Sequence, residues 1–84
     1  MLGRMALSIA GHDRGKYYLI TGMENGFARL VDGRIHKMKN PKKKNCKHIQ
    51  IYDKVFTESE ILKFYENPVW ADNMIREKAD QMFK

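Results

Sequence analysis

The chain has 84 residues, a formal net charge of +6 and a hydrophobic fraction of 43%. This length is enough for one small domain, and the composition excludes a wholly disordered chain. So small a core also argues against a buried catalytic pocket of several residues. The excess of cations favours a polyanionic partner, either nucleic acid or an anionic membrane surface.

Two further classes of protein are excluded by simple counts. No apolar run exceeds five residues, and a membrane span takes about 20, so we expect no membrane insertion. The single cysteine, Cys46, can form neither an internal disulfide nor a cysteine-based zinc site. Its spacing from His36 and His48 is poor evidence for another metal site. We therefore expect a cytoplasmic protein with no metal and no cofactor.

Positive charge is concentrated in the first half of the chain. Residues 1–48 contain eleven Lys and Arg against three Asp and Glu, a net charge of +8. Residues 49–84 contain five against seven, a net charge of −2. The segment 34–47 carries seven cations and no acid. The surface that faces a polyanion is therefore predicted in the first half.

The first half alternates short apolar runs with strong turn signals, which is typical of short strands. The dipeptide Asn25-Gly26 fits a type I′ hairpin turn, and Asp32-Gly33 repeats the signal. Asn40-Pro41 then interrupts pairing, because proline has no amide hydrogen to donate. The predicted strands cover residues 4–10, 17–21, 27–31, 34–38 and 47–51.

The second half has a helical pattern. Thr57-Glu58-Ser59-Glu60 has the spacing of a capping box, which predicts a first helix that ends near Glu66. Asn67-Pro68 then predicts the start of a second helix, because proline is favoured at the first helical position. Apolar residues recur at spacings of three to five from Trp70 onward, so this helix is expected to end near Met82.

The fold class expected from these elements is mainly β with an α-helical C-terminal tail. Small, strongly bent sheets of four or five strands usually close into an SH3-like barrel. We expect such a barrel over residues 1–51. One or two helices in residues 52–84 would form an extension packed on it, because so small a barrel buries too little surface alone.

One loop carries a recognisable motif. The segment Gly11-His12-Asp13-Arg14-Gly15-Lys16, preceded by Gly3, resembles the KOW motif of ribosomal and transcription proteins. The stretches DGRIHK (32–37) and NPKKKNCKHI (40–49) strengthen the likeness. Over residues 2–50 the chain resembles small bacterial KOW-domain RNA-binding proteins, which are similar to archaeal and eukaryotic-type large-subunit ribosomal proteins.

This resemblance implies an SH3-like barrel that binds structured, ribosomal RNA. Cations of the loop and of the basic segment would contact phosphates, and Tyr17 or Tyr18 could stack on an exposed base. The alternative for both tyrosines is a place in the core. The predicted RNA-binding residues are Arg14, Gly15, Lys16, Arg34, Lys37, Lys39, Lys42, Lys43, Lys44, Lys47 and His48.

Other functions remain open alongside this one. A lysine run such as 42–44 is in many proteins only a solvated loop. KOW domains of transcription factors can instead act as protein-interaction modules, with a transcription or translation partner bound through the C-terminal helix and Trp70 as its anchor. An enzyme is not expected, because Asp13 beside His12 has no identifiable nucleophile with it.

Overall fold

A computed structural model describes residues 1–83 of the chain. It contains one five-stranded antiparallel sheet in the order β4-β3-β2-β1-β5, followed by two helices. The expectation of a β-rich domain that ends in helices is confirmed. The elements are β1 (Arg4–Ser8), β2 (Tyr17–Glu24), β3 (Phe27–Val31), β4 (Lys42–Asn45), a 3₁₀ helix (Cys46–His48), β5 (Ile49–Lys54), α1 (Glu58–Glu66) and α2 (Pro68–Phe83).

The sheet must be rolled rather than flat. β4 and β5 lie at its two edges, and four strand spacings would separate them by about 19 Å in a flat sheet. Only the three residues of the 3₁₀ helix join them, and the four Cα–Cα steps from Asn45 to Ile49 reach about 14 Å at most. Two register shifts, one in the β1–β5 pairing and one in the β2–β3 pairing, add twist. Within residues 1–83 no ladder joins β4 to β5, so the barrel is not closed.

The two faces of the sheet bury two separate apolar clusters. Met5, Leu19 and Val31 are cross-strand neighbours on one face and pack against both helices through Phe64 and Ile75. The opposite face, inside the roll, is a second cluster. Its buried members are Ala6, Tyr18, Ile20, Ala28, Leu30 and Ile49. Apolar residues therefore alternate onto both faces of β1, β2 and β3, as expected for strands covered on each side.

Local signals account for the hairpin and the helices. Asn25 and Gly26 both have positive φ, as a type I′ turn requires, and join β2 to β3. The capping box is present: Thr57 Oγ1 accepts from the Glu60 amide at 3.1 Å, and Glu60 Oε1 accepts from the Thr57 amide at 2.9 Å. The predicted helices are confirmed at 58–66 and 68–83.

The strand predicted at 34–38 is wrong, and the strand β4 lies in a stretch for which no strand was predicted. The Asp32 side chain accepts from the amides of Arg34 and His36 at 2.8 and 2.9 Å. The His36 carbonyl in turn accepts from the Asp32 and Gly33 amides. Because these groups are bonded locally, they cannot join a ladder. The chain pairs with β3 only after Pro41, through Lys42–Asn45.

The strand predicted at 47–51 is displaced by two residues, because Cys46–His48 form the 3₁₀ helix and β5 begins at Ile49. The boundary predicted between residues 51 and 52 therefore falls inside β5. The division into two units stays a prediction.

Three side chains of α2 fasten the loop between β3 and β4, hereafter the β3–β4 loop (residues 32–41). Asp72 accepts from the Met38 amide at 2.8 Å, and Arg76 donates to the Gly33 carbonyl at 3.0 Å. Asp80 accepts from Arg34 at 3.1 Å. Residues 72, 76 and 80 share one face of a helix because they are four apart. Gly33 allows the close approach, since a Cβ there would collide with the Asp72 carbonyl oxygen.

We predict that Gly33→Ala destabilises the protein more than Gly26→Ala does. Both glycines have φ near +80°, so each alanine costs about 1–2 kcal/mol of backbone strain. Only Gly33 faces α2, whereas nothing lies within 4 Å of a Cβ at Gly26. Urea unfolding should therefore give Gly33→Ala an additional loss of about 1–3 kcal/mol. Equal losses of unfolding free energy in the two variants would show that α2 does not pack closely against Gly33.

Candidate nucleic-acid interface

The KOW-like segment forms the loop between β1 and β2, hereafter the basic loop (residues 9–16). Gly11 and Gly15 both have φ near +90°, which side chains other than glycine rarely adopt. The loop is closed at its base, where the Ser8 amide donates to the Lys16 carbonyl at 2.9 Å. The Gly15 amide donates to the Ser8 carbonyl at 2.8 Å. Its backbone is therefore ordered without any ligand.

A buried carboxylate lies beneath this loop. Asp13 is 7% exposed and accepts from three side chains that come from three strands. Ser8 Oγ donates at 2.8 Å, Tyr18 Oη at 2.9 Å and Lys44 Nζ at 2.9 Å. Lys42 Nζ lies 3.8 Å from the same carboxylate. Asp13 thus joins the basic loop to β1, β2 and the edge strand β4.

The hydrogen bonds decide the ionisation of this site. Burial alone would raise the pKa of Asp13, but hydrogen bonds from Lys44, Ser8 and Tyr18 outweigh it and hold that pKa well below its usual range. Burial and the hydrogen bond to Asp13 raise the pKa of Tyr18 above its usual range. Asp13 is therefore an anion and Tyr18 a neutral phenol at every physiological pH.

The lysine run 42–44 is divided by the alternation of β4. Lys42 and Lys44 lie opposite Leu30 and Ala28 and turn toward the inner face. Lys44 is held there, because its ammonium also donates to the Ala10 carbonyl at 2.9 Å and its side chain is 11% exposed. Lys43 points to the other side and lies 5.0 Å from the ring centre of Phe27. Of the predicted RNA contacts in this run, Lys44 has its ammonium group bonded within the protein and is not available to RNA.

A groove lies between the basic loop and the β3–β4 loop, hereafter the loop groove. It is lined by Gly15, Lys16 and Tyr17 from one side and by Arg34 and Ile35 from the other. Asp32 and Ala79 complete the lining. Three of the predicted RNA-binding residues, Gly15, Lys16 and Arg34, therefore meet in one place, although they come from segments about 20 residues apart.

The two tyrosines of β2 have different surroundings. Tyr18 is 1% exposed and belongs to the inner cluster, so it has no ring face to offer a base. The core alternative for Tyr18 is confirmed. Tyr17 is half-buried at the edge of the loop groove. Its ring stacks on Phe83 with centroids 3.6 Å apart and planes 10° apart.

The remaining predicted contacts lie on other parts of the surface. Lys37 and Lys39 line a separate cleft with Arg76 and the first turn of α2. Arg14 is exposed on the basic loop. Lys47 and His48 are exposed on the 3₁₀ helix, which adjoins the basic loop because the Ile9 amide donates to the His48 carbonyl at 2.9 Å.

Several residues of this region were missed by sequence reasoning. Ser8 and Asp13 form the buried hydrogen-bonded site beneath the basic loop. The signal for this site in the sequence was a single acid within a basic segment. Asp80 and Phe83 contact two residues that line the loop groove, Arg34 and Tyr17. The repeat of Asp72, Arg76 and Asp80 at four-residue spacing was a signal that this face of α2 has polar partners.

Trp70 lies at the start of α2, away from these contacts. Its ring meets Phe64 edge-on at 5.5 Å, and the residue remains 48% exposed. Val69 beside it is 70% exposed, and Leu62 of α1 is 65% exposed. Trp70 therefore contributes to the core with one edge and leaves the rest on the surface.

Metal-ligating side chains do not cluster in the part of the chain that the structure describes, since no group of three or more His, Cys, Asp or Glu is placed to hold an ion. Neither helix within residues 1–83 has the length and apolar composition needed to cross a bilayer. Comparison with protein-family models finds no family that matches the chain, and comparison with curated proteins finds no matching relative.

We predict that Asp13 makes stability depend on pH below its ordinary pKa of 3.8. Because folding depresses this pKa, the stabilisation is complete above 3.8 and is lost as the pH falls toward the folded value. Asp13→Asn should cost about 3–5 kcal/mol at neutral pH, since it leaves the Lys44 ammonium buried without its counter-ion. In the variant, the free energy of unfolding measured in urea should also depend less on pH below 3.8. If the variant lost stability with falling pH as steeply as the natural protein does, Asp13 would not be the group responsible for this pH dependence.

Proposed function

We propose that this chain is a non-enzymatic RNA-binding protein that acts in the cytoplasm in association with the ribosome. The observation that carries the proposal is the position of the loop's acid. Asp13 is the only acid in the first 23 residues, and it is turned inward and paired with Lys44. The exposed side of the basic loop therefore presents Arg14 and Lys16 with no carboxylate between them.

The order of the loop adds to this argument. Its backbone is held by its own hydrogen bonds and by Asp13, so binding a phosphate backbone would cost little further ordering. Lys43 and Lys47 extend the positive surface onto β4 and the 3₁₀ helix, and both are exposed. No salt bridge engages either lysine within residues 1–83.

The fold and the motif support the same proposal. A rolled five-stranded sheet with edge strands joined by three residues favours an SH3-like barrel. The sheet holds the KOW-like segment through the hydrogen bonds of Asp13 to β1, β2 and β4. Cationic side chains on an ordered backbone would bind the phosphates of RNA and fix its position. The protein would then recognise RNA shape and unpaired nucleotides rather than a base sequence.

The surroundings of Asp13 also argue against catalysis. Its carboxylate accepts from three donors and its pKa is depressed, so it is a poor general base. His12 beside it is exposed on the loop, and no side-chain hydrogen bond joins it to Asp13 among the described residues.

A second candidate function is a protein-interaction module. The exposed apolar side chains of Leu62, Val69 and Trp70 favour it, because these residues belong to the acidic half of the chain. A partner protein bound there would leave the basic loop free. The two functions are therefore distinguished by which half of the chain the ligand contacts.

The test of RNA binding is the salt dependence of affinity for a short hairpin RNA, measured by fluorescence anisotropy. If about five cations contact phosphate, log Kd should change with log salt at a slope of about 3.5–4.5 in magnitude. The variant Lys43→Ala/Lys47→Ala should lower that magnitude by about 1.4–1.8 because two contacts are lost.

The matched control is Lys54→Ala/Lys63→Ala, which removes the same charge from exposed positions in the other half of the chain. It should leave the slope unchanged. A slope near zero for the natural sequence, or an equal change in both variants, would contradict the proposed surface. Lys44 is left intact in all of these proteins, because its substitution would uncover Asp13 and disturb the fold.

A further inference from the structure

The last turn of α2 places two side chains against residues that line the loop groove. Asp80 accepts from the Arg34 guanidinium through both carboxylate oxygens, each at 3.1 Å. Phe83, three residues later, stacks face to face on Tyr17 at 3.6 Å. Because residues 80 and 83 lie on the same helix face, one turn of helix supplies both contacts.

Both contacts engage side chains that can also hold a nucleotide. Asp80 meets a single nitrogen of the Arg34 guanidinium, Nη2, and a guanidinium also binds phosphate oxygens by charge-assisted hydrogen bonds. An aromatic ring parallel to tyrosine at this distance takes the place that an unpaired base takes on an aromatic platform. The carboxylate and the ring therefore engage the two side chains that could contact a phosphate and its neighbouring base.

We propose that the loop groove is a subsite for one unpaired nucleotide, and that in the free protein the last turn of α2 competes with the nucleotide for two of its residues, Arg34 and Tyr17. Tyr17 would stack on the base, and Arg34 and Lys16 would contact the adjoining phosphates. The inference rests on the proposed RNA binding. It adds that this part of the surface binds an unpaired nucleotide.

Displacement of the Asp80 side chain costs little, whereas a base must replace the packing of Phe83 on Tyr17 and Tyr52. The Arg34 and Asp80 side chains are 57% and 44% exposed, and an exposed pair changes an equilibrium by about fivefold at most. RNA would exchange the Asp80 contact for a phosphate contact and the Phe83 ring for a base. The affinity of the free protein is lowered by the fraction of molecules in which the turn is closed.

The decisive comparison is Asp80→Asn against Glu77→Gln. Both remove one negative charge from α2, but only Asp80 pairs with Arg34. The probes are a hairpin RNA with one bulged 2-aminopurine and the same hairpin fully paired. Asp80→Asn should bind the bulged hairpin about 2–5-fold more tightly than Glu77→Gln does. The fully paired hairpin should not distinguish the two variants.

A second measurement follows the base itself. On binding of the natural protein, 2-aminopurine fluorescence should fall as the base stacks on Tyr17. The decrease should be lost in Tyr17→Leu, which keeps an apolar side chain at this half-buried position. Phe83→Leu should strengthen binding of the bulged hairpin, whereas Met82→Leu, at the exposed neighbouring position, should not. Circular dichroism confirms that each variant is folded before it is titrated.

The outcomes separate the two proposals. If the protein binds both hairpins with strong salt dependence but Asp80→Asn and Glu77→Gln behave alike, the subsite is wrong and RNA binding stands. Unchanged 2-aminopurine fluorescence on binding would also overturn the subsite. If none of the proteins binds either hairpin, the proposed function fails and the subsite with it.

Discussion

The Asp13 carboxylate is the constraint on which the arrangement of the basic loop depends. It lies beneath the loop and accepts hydrogen bonds from β1, β2 and β4. The ion pair with Lys44 matters most among these, because β4 is an edge strand and the pair ties that edge to the loop across the inner face. Removing either partner would leave a buried charge uncompensated, so the loop and the edge strand are ordered together.

The same interaction separates structural charge from surface charge. Lys44 neutralises Asp13 internally, and the outward side chains Arg14, Lys16 and Lys43 are left without an acid between them. The number of cations in a basic segment therefore overstates the number available to a polyanion, and the pleat of β4 determines which of them remain.

Local sequence patterns predicted the structural elements that are stabilised by interactions between nearby residues. The Asn25-Gly26 hairpin and the Thr57 capping box are each complete within a few residues, and both are confirmed. The predicted strand at 34–38 failed because the Asp32 side chain, four residues from His36, competes for the same amides. The pairing of Asp13 with Lys44 joins residues 31 apart in sequence, and no periodicity encodes such a contact. The same holds for Arg34 and Asp80, whose meeting depends on how α2 crosses the sheet.

The most direct test of this account is a nuclear magnetic resonance titration of the ¹⁵N-labelled chain with the fully paired hairpin RNA. The account predicts that amide signals of residues 11–16 and 43–48 shift first, and that the shifts weaken as salt is raised. Signals of residues 62–70 should stay unchanged. Shifts confined to residues 62–70, or no shift at any salt concentration, would contradict the claim that the ordered basic loop is an RNA-binding surface.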